Sequence, residues 1–379
     1  MKIADVKAYP TSFPIPQQNR VALGIGTAVK RDAVVVKVTT DEGIIGWGEA
    51  HHGRAHTAVA KLIETTLRQL VVGMDALATN AVWEKLYRAQ LASHGMGAGA
   101  CLAISGIDMA LWDIRGKALK VPLYRLLGGT LRAIPAYAGG VSLGYQPEAE
   151  LLAEARKSLE QGYKAIKLRL GDSPARDVAR LRAARKAFGD DLVILTDANI
   201  GYQLEDVRRV MPALDEIRAG WLEEPFPAHD YRSYREAKLL GRTPLAAGEN
   251  HYTRFEFNRL IEDGAITILQ PDLSKCGGVT EALRIAALAS SWKLPIHPHS
   301  SMTGLNHAAT IHFLAAIGNG GYFEGDVSKS NLFRDELVEN PGVVDRDGNV
   351  RPLDKPGIGL EVNEEFLAKH PAIEGPGYV

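Results

Sequence analysis

The sequence predicts an α/β fold: a parallel (β/α)7β barrel, or modified TIM barrel, preceded by an α+β unit. Three observations predict it. From Ala133 onward, eight short apolar runs recur: AIPAYAG, AIKLRLG, LVILTDAN, GWLEEP, LAAGEN, ITILQPD, LPIHPH and YFEGDV. Seven of them are joined by helical patterns such as PEAELLAEARKSLEQ and VTEALRIAALASSW, and strands alternating with helices build a parallel sheet that closes at eight. The second observation is KAIKLRLG, where Ile166, Leu168 and Leu170 alternate with Lys167 and Arg169. On an ordinary amphipathic strand the two cations would face water; in a closed barrel they point inward, where unpaired charge is costly. The third is that Asp197, Glu223, Glu249, Asp272, His299 and Glu324 each end a run, at intervals of about 23 to 27 residues, the length of one βα unit.

The elements follow in order. KIADVKAYPTSF reads as a strand, and AVVVKVTTDEGIIGWGEA as two strands joined by a turn at Asp41-Glu42-Gly43. Helical stretches run from about 57 to 127, so residues 1–127 are expected to form an α+β domain, which the resemblance described below implies is a capping domain, and 128–342 the barrel. The turn-rich segment 343–379 has no helix to pair with the eighth strand and is expected to pack back on the N-terminal unit. A formal charge of −1 over 379 residues, with no basic run, argues against nucleic acid or an anionic membrane as partner and for a small molecule. No segment has the length of an uninterrupted membrane span, and MKIADVKAYP has no apolar leader pattern, so a cytoplasmic protein is expected. Cys101 and Cys276 lack the number and spacing for a disulfide framework or a metal site, and are read as buried thiols.

A barrel gathers the strand-end residues at one mouth. Any one alone is explained by capping of the next helix; six in register are not. Asp197, Glu223 and Glu249 would bring three carboxylates together, and their repulsion is relieved either by Lys or Arg partners or by a divalent cation. Ligation by oxygen alone favours Mg²⁺. Asp272 and His299 end consecutive strands, so a carboxylate can fix the imidazole tautomer and make His299 a general base. His297 has the same inward parity and competes for the role. Glu324 reads as a protonated acid, a hydrogen-bond donor to substrate or a solvated carboxylate.

The segments KLR, DAN, EEP, GEN, QPDLSKCGG and HPHSS, with IIGWGEA and PLYRLLGG before them, resemble the motifs of the enolase superfamily in its mandelate racemase subgroup, over nearly the whole chain. The resemblance implies one Mg²⁺ per subunit on Asp197, Glu223 and Glu249, and a base dyad of Asp272 and His299. It also implies that Lys167 contacts the substrate carboxylate, Asn199 contacts a substrate hydroxyl, Glu324 lies across the site, and Lys275 supports the metal site. The shared chemistry is removal of the proton next to a carboxylate, with the enediolate stabilised as it forms. A homo-oligomer is the expected assembly.

Arg169 departs from the pattern. Members that racemise through two bases have a second lysine there, whereas a guanidinium stays protonated and is a poor base. One-base chemistry remains, and dehydration of a sugar acid, an aldonate or aldarate, is the expected reaction; a racemase, epimerase or lactone cycloisomerase is the alternative, and a non-catalytic barrel a remote one. Arg169 is read either as a substrate contact or as a salt-bridge partner of the metal carboxylates. Specificity is expected in the loops SFPIPQQNRVALGIGT and EAHHGRAHT, whose Gln17, Gln18, Asn19, Arg20, His51, His52 and Arg54 suit a polyhydroxylated acid, with Arg20, His51 and Arg54 as the substrate contacts.

Overall fold

The computed structural model describes residues 1–300 and 302–379, so Ser301 of the HPHSS motif lies outside the described residues. The chain opens with β1 (Ile3–Pro14), a small hairpin of β2 (Ala22–Leu23) and β3 (Gly26–Thr27), then β4 (Lys30–Thr40) and β5 (Ile45–Ala50). β4 lies between β1 and β5 in an antiparallel sheet. Both faces of β4 are covered: Val34, Val36 and Val38 pack with the capping helices, while Ala33 and Val35 join the core shared with the barrel. This is why AVVV, residues 33–36, is a continuous apolar run.

The glycines of IGWGEA set how closely the helix Ala98–Leu119 approaches β5. A Cβ on Gly46 would lie 2.1 Å from the Ala110 carbonyl oxygen, and one on Gly48 2.3 Å from that of Gly106. Gly48→Ala is therefore expected to lower stability by about 1–3 kcal/mol, the cost of overpacking a tight interface. Chemical denaturation measures this, and a variant as stable as the wild type would show that the two elements can part without cost.

The barrel strands are β6 (Ile134–Gly139), β7 (Ala165–Arg169), β8 (Val193–Asp197), β9 (Leu222–Glu223), β10 (Leu245–Ala247), β11 (Ile268–Leu269) and β12 (Phe323–Asp326). They are parallel neighbours in sequence order, and β12 pairs with β6. The α/β barrel read from the sequence is thus observed, with one difference. LPIHPH forms no strand: Ile296 alone bridges Leu269 on one side and Gly320 on the other. Pro295 and Pro298 have no N–H to donate, so the ladder cannot extend. Helices follow the first seven runs as expected, from Glu148–Glu160 to Gly304–Ala316.

Alternation places Tyr137, Ala165, Leu195, Trp221, Ala246 and Ile268 in a layer inside the barrel. Lys167, Asp197 and Glu223 come two residues later on their strands, nearer the C-terminal mouth, while Ile166, Leu168 and Leu170 pack outward. The final segment makes β13 (Asn349–Val350) antiparallel to β6 and then runs to β1, where the Thr11 hydroxyl donates to the His370 carbonyl at 2.5 Å. It also contains the short helix Glu364–Lys369, tied to the cap by Lys37–Glu364 at 2.7 Å, which its turn-rich composition conceals. Cys101 and Cys276 are free and buried. Among the described residues no helix is long and apolar enough to cross a membrane.

Candidate active site

Lys167 is fully buried and answers the question of its inward face with three partners. Its ammonium lies 2.8 Å from Glu324, 2.9 Å from Glu223 and 3.4 Å from Asp197. Burial alone would lower its pKa, but Glu223 and Glu324 reverse this and hold it charged. Glu324 also accepts from the backbone N–H of Gly140 and of Ser300. Burial pushes its pKa up, yet Lys167 and the nearby His299 and Arg169 win and hold it as a carboxylate. In this structure Glu324 accepts from Lys167, Gly140 and Ser300. It is also buried, not solvated, because Lys167 lies beside it.

Asp272 and His299 are in contact, with Nδ1 of the imidazole 2.6 Å from the Asp272 carboxylate. The second Asp272 oxygen accepts from the Ser274 N–H and hydroxyl, both at 2.7 Å, and from Asn306 at 3.1 Å. Asp272 is therefore anchored, and Nδ1–H donation to it leaves Nε2 facing the mouth, 3.1 Å from Glu249. Burial would lower the imidazole pKa, but Glu249 and Asp272 outweigh it, against Lys275, and raise it to about 9. His297 is separated from this role by its surroundings. Its ring packs against Trp221 and Tyr322, its Nδ1 accepts from the Tyr322 N–H, and burial lowers its pKa to about 4.

Arg169 donates to Asp197, to Asn199 and to the Gly140 carbonyl. The salt-bridge reading of Arg169 thus describes this structure, although the side chain also lines the cavity. Asn199, with φ of +42°, donates from both its backbone and its amide to Asp197. Lys275 reaches Glu249 at 3.3 Å.

The acidic cluster suits a divalent cation by its chemistry. Asp197, Glu223, Glu224, Glu249, Asp272 and Glu324 are buried or line the cavity, against Lys167, Arg169, Lys275 and His299. Two carboxylates more than cations remain, and burial with mutual repulsion pushes both Glu223 and Glu224 upward. Among the described residues one oxygen of Glu224 is buried with no partner, the kind of acceptor a cation satisfies. Among the described residues no three His, Cys, Asp or Glu side chains stand as a ready-made cage, since Lys167 and Arg169 pair with the carboxylates. Glu223 in particular faces inward, receiving Trp221 at 3.0 Å and Gln270 at 2.7 Å.

Above this floor is a cavity of about 390 Å³. The barrel supplies Arg169, Asn199, Glu224, Glu249, Lys275 and His299, and the capping loops supply Leu23, Ile25, His51, His52 and Arg54. Arg20 is not among the lining residues; its Nε donates back to the Ile15 carbonyl at 3.3 Å. Glu224, Tyr252, Met302 and Tyr378 line the cavity without having been singled out in the sequence. Glu224 was legible as the second Glu of EEP, but strand alternation assigns it to the outside.

The fold and this mouth define a class: capped barrels whose strand ends set a histidine–aspartate pair against an acidic cluster. The chain belongs to the enolase superfamily. Residues 150–366 match its "Enolase C-terminal domain-like" family, and residues 8–128 match "Mandelate racemase / muconate lactonizing enzyme, N-terminal domain". Among similar proteins, a D-galactonate dehydratase of Pectobacterium atrosepticum is 35% identical, over 88% of this chain and 89% of its own length. An arabinonate dehydratase of Saccharolobus solfataricus is 33% identical, over 97% and 99%. A crystal structure of a superfamily member from Polaromonas sp. JS666 is 55% identical and covers 100% of both chains with a TM-score of 0.97. A racemase from Streptomyces coelicolor A3(2), whose structure has bound magnesium, is 28% identical over 97% of this chain and 99% of its own, with a TM-score of 0.88.

Proposed function

We propose that the chain dehydrates a sugar acid, an aldonate or aldarate, to a 2-keto-3-deoxy acid. The observation that carries this reading is the one-sidedness of the mouth. His299 presents Nε2 on one side with its tautomer fixed by Asp272, whereas Arg169 is held by Asp197 and Gly140 and has no basic form at working pH. The dehydratases among its relatives support it.

In this reading His299 acts in its neutral form, once Glu249, whose charge raises its pKa, no longer faces Nε2; Nε2 then takes the proton at C2, and the electron pair passes into the carboxylate as an enediolate. Lys167 holds the carboxylate end. The pair then returns to form the C2–C3 double bond and expels the C3 hydroxyl, which leaves as water with the proton His299 took. The enol rearranges to the 2-keto-3-deoxy acid, so one water is lost and no redox partner is needed. Asp197, Glu223 and Glu249 would hold Mg²⁺, with Lys275 supporting them, and the ion when bound supplies positive charge where the enediolate charge develops. Asn199, His51 and Arg54 contact the substrate hydroxyls. Isomerisation needs a proton donor on the face opposite His299, a role for which Arg169 is unsuited.

Turnover of an acid-sugar library with Mg²⁺, detected by semicarbazide trapping of the 2-keto product, tests the reaction. Conversion to C2 epimers without water loss would overturn it. Chelation of the metal is expected to lower the rate at least about 10²-fold, since a Lewis acid contributes several kcal/mol at a developing charge, with recovery on adding Mg²⁺. Glu249→Gln should not recover. An untouched rate in chelator would reject the metal assignment.

A further inference from the structure

Residues 375–379 are not treated by the reaction above, yet they reach the cavity. The segment pairs with the β2–β3 hairpin. The Val29 N–H donates to the Gly377 carbonyl at 2.9 Å, Ala28 and Tyr378 form an antiparallel bridge, and Thr27 and Val379 exchange N–H···O bonds of 2.7 and 3.0 Å. Gly26 makes the close approach possible: its φ is +109°, and a Cβ there would sit 3.0 Å from the Val379 carbonyl oxygen. On its other side the hairpin is fixed to the barrel, with the Tyr145 N–H donating to the Ala22 carbonyl at 3.2 Å. The position of Tyr378 is therefore set by backbone bonds on both sides of it.

Its ring lies under the Arg54 guanidinium, 5.2 Å from guanidinium carbon to ring centroid, and both residues line the cavity. Arg54 is exposed and has φ of +59°, and its guanidinium contacts the Tyr378 ring. The aromatic face is thus the contact that orients it, and a planar fork of donors held over a cavity suits recognition of neighbouring hydroxyls.

We propose that Tyr378 is a positioning residue for specificity: it holds Arg54 over the mouth so that Arg54 reads the hydroxyls of the acid sugar farthest from its carboxylate. This rests on the reading of the substrate as a sugar acid. A site assembled from the loop at Arg54 and a segment more than three hundred residues later gives the pairing of residues 377–379 with the β2–β3 hairpin a role beyond covering.

The test uses the best acid sugar of the library with Mg²⁺, and its epimers at the carbons remote from the carboxylate. Tyr378→Ala is expected to raise KM about tenfold and to weaken epimer discrimination similarly, the size of one partly desolvated cation–π contact, with kcat nearly unchanged. Tyr378→Phe should behave as wild type, since the ring face makes the contact. In an Arg54→Ala background, Tyr378→Ala should add less than about twofold, as expected for two residues acting as one unit. Wild-type KM and discrimination in Tyr378→Ala, additive effects of the two substitutions, or a Phe variant as impaired as Ala would each overturn the proposal. So would a loss of kcat together with melting temperature, which marks a merely structural role. Isomerisation of the sugar with the Tyr378 effects intact overturns dehydration alone; a wild type that neither binds nor converts any acid sugar overturns both.

Discussion

His299→Asn should lower turnover on the order of 10⁴-fold, the upper end of what a positioned proton-transfer group contributes, because in the proposed reaction the same imidazole serves proton removal and water loss. It should also abolish exchange of the C2 proton in D₂O. The fold is expected to survive. Asp272, the partner left behind, still accepts from the Ser274 N–H, the Ser274 hydroxyl and Asn306, so no buried charge is stranded. Circular dichroism and kinetics on the same preparation separate the two effects. A rate within tenfold of wild type would remove His299 from the reaction. In wild type, accumulation of the inverted C2 epimer would reveal a proton donor on the opposite face.

Lys167→Met should act twice. Loss of a donor to the developing oxyanion lowers kcat about 10²–10³-fold. Loss of the buried cation also leaves Glu223, Glu324 and Asp197 uncompensated at contacts that are now 2.9, 2.8 and 3.4 Å, and breaking such a buried pair costs about 3–5 kcal/mol. The two effects diverge when Mg²⁺ is added. A more negative cluster gains more from a divalent cation, so Mg²⁺ should raise the melting temperature of the variant more than that of the wild type. Near-normal turnover would separate Lys167 from the substrate carboxylate. An equal response to Mg²⁺ would separate it from the acidic cluster.

Much of the barrel is legible because its period is short. Alternation alone places Ile166 and Leu168 outward and Lys167 and Arg169 inward, and the structure has them so. Strand-end spacing likewise brings Asp272 to His299. What escaped has a common physical cause. Glu224 lies one residue past β9 with φ of +34°, so alternation no longer governs where its side chain goes. Tyr378 reaches the cavity through pairing with residues at the opposite end of the sequence, and no local pattern encodes a register of that range. His297 and His299 share parity, and only the packing of Trp221 and Tyr322 distinguishes them. Arg20 and Arg54 look alike as loop cations; one turns back to its own loop and the other lies over the cavity.

The capping unit is pinned to the barrel from several sides. Glu49 of β5 is fully buried and accepts both the Thr303 N–H and its hydroxyl, at 3.0 and 2.5 Å, just beyond the segment that bears His299. Asp108 accepts from Thr280 in the same paired way, Trp83 donates to the Gly277 carbonyl, and the His51 N–H donates to the Ser274 carbonyl. A cap so fastened cannot swing away as one body to admit substrate without breaking the Glu49–Thr303 contacts just beyond His299. Any opening for substrate would then involve a part smaller than the cap, and the β2–β3 hairpin, which borders the mouth through Leu23, is held there by only a few backbone bonds to Tyr145 and to residues 377–379, so the door of this enzyme would be far lighter than its roof.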